Sequence, residues 1–191
     1  MSLNLYIIAG CNGAGKTTAS YTILPEILNC KEFVNADEIA KGLSPFQPES
    51  VAIEAGKIML KRIDNLINEK ENFAFETTLS TKSYKNKVVA AKEKGYQIVL
   101  VFFWLRDVNL AIERVEQRVK EGGHNIPVDV IERRYKSGIK NLFSIYLPIV
   151  DEAYFFDNSD NTPELIAEKN KFSTFEIKNT EKFNQLKSYA N

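Results

Sequence analysis

The chain has 191 residues, with 25 Lys and Arg against 25 Asp and Glu and a single His, for a formal net charge of zero. With 44% hydrophobic and 26% charged residues, including 12 Phe and 8 Tyr, it has the composition of a globular protein with a buried core, not of a disordered one. Zero net charge disfavours binding to long nucleic acid by bulk charge, and one His with two Cys (Cys11 and Cys30, far from any CxxC spacing) excludes a Cys/His zinc cluster.

Leu5–Ala9 predicts a buried strand running into a glycine-rich turn, and a helix follows over about Lys16 to Leu28. Phe33–Asn35 is a second, short strand. Pro48 fits the first position of a helix reaching about Asn68, in which Val51, Ala55, Met59, Ile63 and Leu66 recur at helical spacing. Phe73–Phe75 is a third strand, and a lysine-rich helix from about Ser83 to Lys94 stops at Gly95. Tyr96–Leu105 is the strongest strand, with Gln97 its only polar residue, as in strands buried on both faces. Asp107 can cap the next helix, which ends at Gly122-Gly123. Pro127 opens another, interrupted near Gly138 and stopped by Pro148. Ala153–Asp157 is a fifth strand. Leu165–Ala167 and Thr174–Ile177 flank Lys169-Asn170-Lys171 as a β-hairpin, and a short helix closes the chain.

Strand and helix alternate without a break, which implies one α/β domain over residues 1–191. The fold expected is α/β: a mainly parallel five-stranded sheet flanked by helices, a helical lid at about 118–140, and a C-terminal β-hairpin. The apolar run Leu3–Ala9 is too short for a secretion signal or a bilayer span. Free thiols without a signal suit a reducing cytoplasm, with no membrane partner.

Gly10-Cys11-Asn12-Gly13-Ala14-Gly15-Lys16-Thr17 satisfies G-x-x-x-x-G-K-[ST] between a strand and a helix. Glycines let the backbone wrap so that successive N–H groups, with the start of the helix at Thr18, face phosphate oxygens. Lys16 can reach the β- and γ-phosphates of ATP, and the Thr17 hydroxyl can ligate Mg²⁺. Cys11 reads as a space-filling residue of the loop. The motif makes the expected α/β fold one of the P-loop NTPase/kinase type, and no LSGGQ-like segment, NKxD motif or apolar strand ending in Asp-Glu is present, which favours the small-molecule kinase branch.

A kinase needs a carboxylate within reach of the attacking hydroxyl, and parallel sheets put their sites at the carboxyl ends of strands. Asp37 and Glu76 follow such ends. Asp37 can alternatively cap the helix containing Ile39, and Glu76 can order the turn Thr77, Thr78, Ser80. Arg114 and Arg118 share one helix face, and Arg118, Arg133 and Arg134 bracket the Gly-Gly segment, where guanidinium groups can grip phosphate. Lys82 lies near the mouth beside Thr81, although the lysine run it opens suits a solvated face.

Asn35-Ala36-Asp37-Glu38-Ile39-Ala40-Lys41-Gly42-Leu43 and Glu76-Thr77-Thr78-Leu79-Ser80, behind this P-loop, resemble the zeta-toxin family of kinases. Gly122–Pro127 with Arg133-Arg134-Tyr135 is similar to the lid of its short chromosomal members. The resemblance implies ATP-dependent phosphorylation of a sugar hydroxyl, the family's toxins acting on UDP-N-acetylglucosamine. It makes Asp37 the general base, Lys16 the P-loop lysine, and Glu76 and Thr78 substrate contacts. Arg118 matches the first lid arginine; the second is Arg134 or Arg133, with His124 as the alternative. Other acceptors (a polynucleotide end, an antibiotic hydroxyl) and a nucleotide-dependent binding module paired with an antitoxin remain the competing functions.

Overall fold

The structure is a computed structural model that describes residues 3–160, 162–172 and 174–190; residues 1, 2, 161, 173 and 191 of the expected domain lie outside it. The elements in chain order are β1 (Leu3–Gly10), α1 (Lys16–Thr22), β2 (Glu32–Val34), α2 (Ala36–Leu43), α3 (Ala52–Glu69), β3 (Phe73–Thr77) and α4 (Lys85–Glu93). They continue with β4 (Tyr96–Trp104), α5 (Val108–Lys120), α6 (Val128–Asn141), β5 (Glu152–Asp157), β6 (Glu164–Lys169), β7 (Phe175–Ile177) and α7 (Thr180–Ser188).

One sheet has the order β2-β3-β1-β4-β5-β6-β7. Its first five strands are parallel, as the alternating pattern requires. β1 lies between β3 and β4, so Leu5, Ile7, Ile8 and Ala9 are at most 2% exposed and a continuous apolar run is the sequence that fits. The predicted hairpin forms, but it joins the sheet instead of standing apart, making seven strands with β6 antiparallel to β5. Phe155 of β5 packs against Phe175 at a tilt and edge-to-face against Phe183, which draws β7 and α7 onto the sheet.

Three helices differ from the periodicity. α1 ends at Thr22, and the chain continues as a π turn over Ile23–Ile27, because Pro25 has no N–H for an α-helical bond. A 3₁₀ turn over Pro48–Val51 precedes α3. Gly138 does not interrupt α6, which runs through it to Asn141 before a π turn at Leu142–Tyr146. The glycine is there for contact: a Cβ on Gly138 would lie 2.4 Å from the Thr78 carbonyl oxygen. Asn141 Nδ2 donates to the Leu79 carbonyl at 2.8 Å, and the Tyr146 hydroxyl to the Thr81 carbonyl at 2.8 Å.

Ile131, Tyr135 and Ile139 of α6 are core residues, so much of the span expected as a lid belongs to the body. α5 stops where Gly122 takes a positive φ of 91° and the Gly123 N–H donates to the Arg118 carbonyl at 2.8 Å, a Schellman cap. The parallel strands end on one side of the sheet. The P-loop, Asn35, Glu76 and Asn158 therefore follow or close neighbouring strands along a single edge.

Candidate active site

The P-loop joins β1 to α1 with positive φ at Gly10, Gly13 and Gly15. No side chain fits at its ends: a Cβ on Gly10 would lie 2.2 Å from the Phe103 carbonyl oxygen, and one on Gly15 2.6 Å from Asn158 Nδ2. Lys16 is only 6% exposed. Its Nζ donates to the Cys11 carbonyl at 2.9 Å and lies 3.5 Å from Glu76 Oε1. The other Glu76 oxygen accepts from the Thr17 hydroxyl at 2.8 Å and from Asn35 Nδ2 at 3.0 Å. Glu76 thus does more than order its own turn. It partners the buried lysine, which would otherwise bear an uncompensated charge.

The capping alternative for Asp37 fails on geometry. Asn35 Oδ1 accepts from the Asp37 N–H at 2.8 Å and the Glu38 N–H at 3.4 Å, so Asn35 caps α2. The Asp37 carboxylate makes no hydrogen bond or salt bridge among the described residues. It borders three adjoining cavities. One, about 260 Å³, faces the P-loop and is lined by Asn12, Lys16, Thr17, Thr18, Arg114 and Arg118. A second, about 170 Å³, runs past Glu76, Thr78 and Tyr84 to Arg134. The third, about 350 Å³, has apolar walls from Ala40, Ala52, Ile126 and Val130, with Arg133 and Arg134 among its lining.

The arginines hold different stations. Arg134 Nη1 donates to Asn12 Oδ1 at 3.3 Å. Burial lowers its pKa while the Asp37 charge opposes the shift, and a guanidinium stays charged under such conditions. Arg118 Nη2 donates to the His124 carbonyl at 3.4 Å, and its Nε is buried without a partner among the described residues. Arg114 Nη2 donates to the Ser159 carbonyl at 2.9 Å. His124 borders the first and third cavities beside Asp37. Burial lowers its pKa, Asp37 opposes, and Arg118 and Lys41 add to the fall, so the imidazole is neutral at neutral pH.

Of the residues singled out from sequence, Asn12, Gly13, Gly15, Lys16, Thr17, Thr18, Asp37, Glu76 and Arg118 meet at the first cavity, and Thr78 and Arg134 at the second. Gly10 and Ala14, also of the loop, line none of the three cavities, and Ala14 is fully buried. Arg133 is exposed at the edge of the third cavity, and Lys82 is exposed and lines none of the three. Burial pushes the Cys11 thiol up to about 11, in keeping with a space-filling role. Arg114, paired with Arg118 on one helix face in the sequence reading, also lines the first cavity. Two contributors escape sequence reading, Asn35 as the link between Asp37 and Glu76, and Asn158.

The family model for zeta toxin matches residues 4–162. The chain belongs to the zeta toxin family. Among curated proteins, an uncharacterized protein of Haemophilus influenzae is 30% identical over 126 residues, which is 66% of this zeta toxin family chain and 88% of that one. The fold is similar to AvrRxo1-ORF1 in its complex with AvrRxo1-ORF2, solved with sulphate ions, at a TM-score of 0.80 and 17% identity. That likeness covers the whole of this chain and 65% of the other, so this chain spans about two thirds of its length. The same complex has also been solved with ATP. The PezAT chromosomal toxin–antitoxin system of Streptococcus pneumoniae aligns at a TM-score of 0.67 and 16% identity, over 98% of this chain and 86% of that one. The sheet order, the P-loop and these likenesses make the domain a P-loop kinase fold. No helix among the described residues is long and apolar enough to cross a membrane.

Proposed function

We propose that this zeta toxin family protein is an ATP-dependent kinase that phosphorylates a hydroxyl of a nucleotide sugar, one resembling UDP-N-acetylglucosamine. The observation that carries the reading is the free Asp37 carboxylate, which borders the P-loop cavity and both cavities beside it. ATP would lie with its phosphates on the P-loop N–H groups. Lys16 turns from the Cys11 carbonyl and Glu76 to neutralise charge on the transferring group, and Arg118 and Arg134 help to neutralise it. The acceptor would enter through the second and third cavities. The apolar wall of the third cavity and the arginines of both suit a molecule with a flat or apolar part and phosphates of its own. Asp37 accepts the hydroxyl proton late, as expected for a loose phosphoryl-transfer transition state. Thr78 and Glu76 contact the acceptor.

Thr17 and Glu76 fit a magnesium site by donor chemistry: a hydroxyl and a carboxylate oxygen 2.8 Å apart at the loop, both hard ligands. Bound there, Mg²⁺ would supply charge neutralisation between phosphates. The likeness to the PezAT toxin–antitoxin system supports an antitoxin partner for this chain, and the free thiols of Cys11 and Cys30 suit a reducing cytoplasm.

The test is ATP consumption across UDP-sugars, nucleosides and RNA ends. Asp37→Asn keeps ATP binding and loses transfer by about 10²- to 10⁴-fold, the usual worth of a general base. Transfer at the wild-type rate would remove Asp37 from that role, and phosphorylation of RNA ends alone would replace the acceptor.

A further inference from the structure

We propose that Asn158 is a positioning residue for phosphate binding, and that the C-terminal helix holds it in place. The inference rests on the P-loop being a phosphate cradle. A loop that turns its N–H groups inward must turn carbonyls outward, and buried carbonyls need donors. Ala14 is fully buried, and its carbonyl accepts from Asn158 Nδ2 at 2.8 Å. The same amide nitrogen is what a Cβ at Gly15 would strike, so it lies flat against the loop's last glycine.

Asn158 is itself fixed from both sides. Its N–H donates to the Trp104 carbonyl at 2.8 Å, at the end of β4. On one side Asp157 is 4% exposed; its Oδ1 accepts from the Ser159 N–H and hydroxyl, and its Oδ2 pairs with Lys182 Nζ at 2.6 Å. On the other, the Ser159 carbonyl holds Arg114, which lines the P-loop cavity. A bracket therefore runs from α7, beyond the 4–162 span of the family match, through Asp157 to Asn158 and the P-loop. Asn158 lines none of the three cavities, so it acts through Ala14 and Gly15 without touching substrate.

The experiment measures ADP binding by calorimetry for the full chain, with Lys16→Ala, Asn158→Asp and Lys182→Met. Asn158→Asp keeps the shape and replaces the donor with an acceptor facing the Ala14 carbonyl. At about pH 8 its ADP affinity falls roughly tenfold or more. As the pH is lowered towards about 5, the new carboxyl begins to gain a proton, donates again, and the deficit relative to wild type shrinks. A merely structural lesion gives no such pH-dependent recovery. Lys182→Met, which touches neither loop nor ligand, weakens ADP several-fold by loosening the turn. It also stands in as the deciding variant if Asn158→Asp melts below assay temperature. Wild-type ADP affinity in Asn158→Asp, a deficit independent of pH, or undiminished affinity in Lys182→Met overturns the proposal while leaving the cradle intact. Failure of wild-type protein to bind ADP, or binding that Lys16→Ala does not weaken, overturns the cradle itself.

Discussion

Gly138 offers a test in which two physical effects predict opposite signs. Replacing a glycine inside a helix by alanine stabilises by about 1 kcal/mol through backbone entropy. Gly56 in α3 is a clean reference, since a Cβ there meets nothing within 4 Å. Gly56→Ala is expected to raise Tm by roughly 2–4 °C for a chain of this size. At Gly138 the new Cβ would lie 2.4 Å from the Thr78 carbonyl oxygen and 3.6 Å from its carbon. That neighbour is backbone and has no rotamer to escape into. Overpacking costs about 1–3 kcal/mol, and an encounter more than 1 Å inside ordinary contact belongs at the upper end. Setting the helix gain against it leaves a net loss of about 2 kcal/mol, or roughly 4–8 °C. Thermal melts followed by circular dichroism on wild type, Gly56→Ala and Gly138→Ala decide the matter. If Gly138→Ala melts at or above wild type, the glycine is only a weak helix residue and the close packing of α6 on the Thr78 loop is wrong.

Two further predictions concern buried polar groups. The Tyr135 hydroxyl accepts from Trp104 Nε1 at 3.1 Å and donates to the Leu105 carbonyl at 2.7 Å. Tyr135→Phe strands both, so urea melts should lose about 1–3 kcal/mol. Emission from the chain's single Trp should shift in the folded state; unchanged stability and emission would refute the pairing. Burial pushes both cysteine thiols up to about 11 from an ordinary 9.0, so neither should react with iodoacetamide at neutral pH until the protein unfolds. Raised thiol pKa values mean that the unfolded chain gives up protons first. Their stabilisation is complete below about pH 9 and drains away as pH rises towards 11. A Cys11→Ala/Cys30→Ala variant should show a shallower alkaline decline in denaturant midpoint, and an identical decline would refute the assignment.

What the sequence makes legible is what is local. The P-loop is written in eight consecutive residues, and its geometry follows from them. β1, β3 and β4, largely buried on both faces, announce themselves as apolar runs, and the alternation of strand with helix makes β2 and β5 readable beside them. The hairpin is readable too, but its attachment to β5 depends on Phe155 meeting Phe175 and Phe183, and the pairing of distant aromatics leaves no periodic trace. Gly138 reads as a helix break because propensity is visible in sequence, whereas a carbonyl 60 residues away is not. Lys82 is next to Thr81 in the chain yet is exposed and lines none of the three cavities, since neighbours in sequence need not share a face. Asn158 lies 144 positions from the carbonyl it serves, and nothing in its own surroundings marks it.

Asn35 carries a different lesson. Ser, Thr, Asp and Asn are usually interchangeable as helix caps. At Asn35 they are not, because one side chain accepts from the start of α2 with its oxygen and donates to Glu76 with its nitrogen. Aspartate would cap α2 just as well and would set two carboxylates face to face. The position therefore demands an amide: only a side chain with both an acceptor and a donor can start α2 and hold the carboxylate that in turn holds Thr17 and Lys16 of the P-loop.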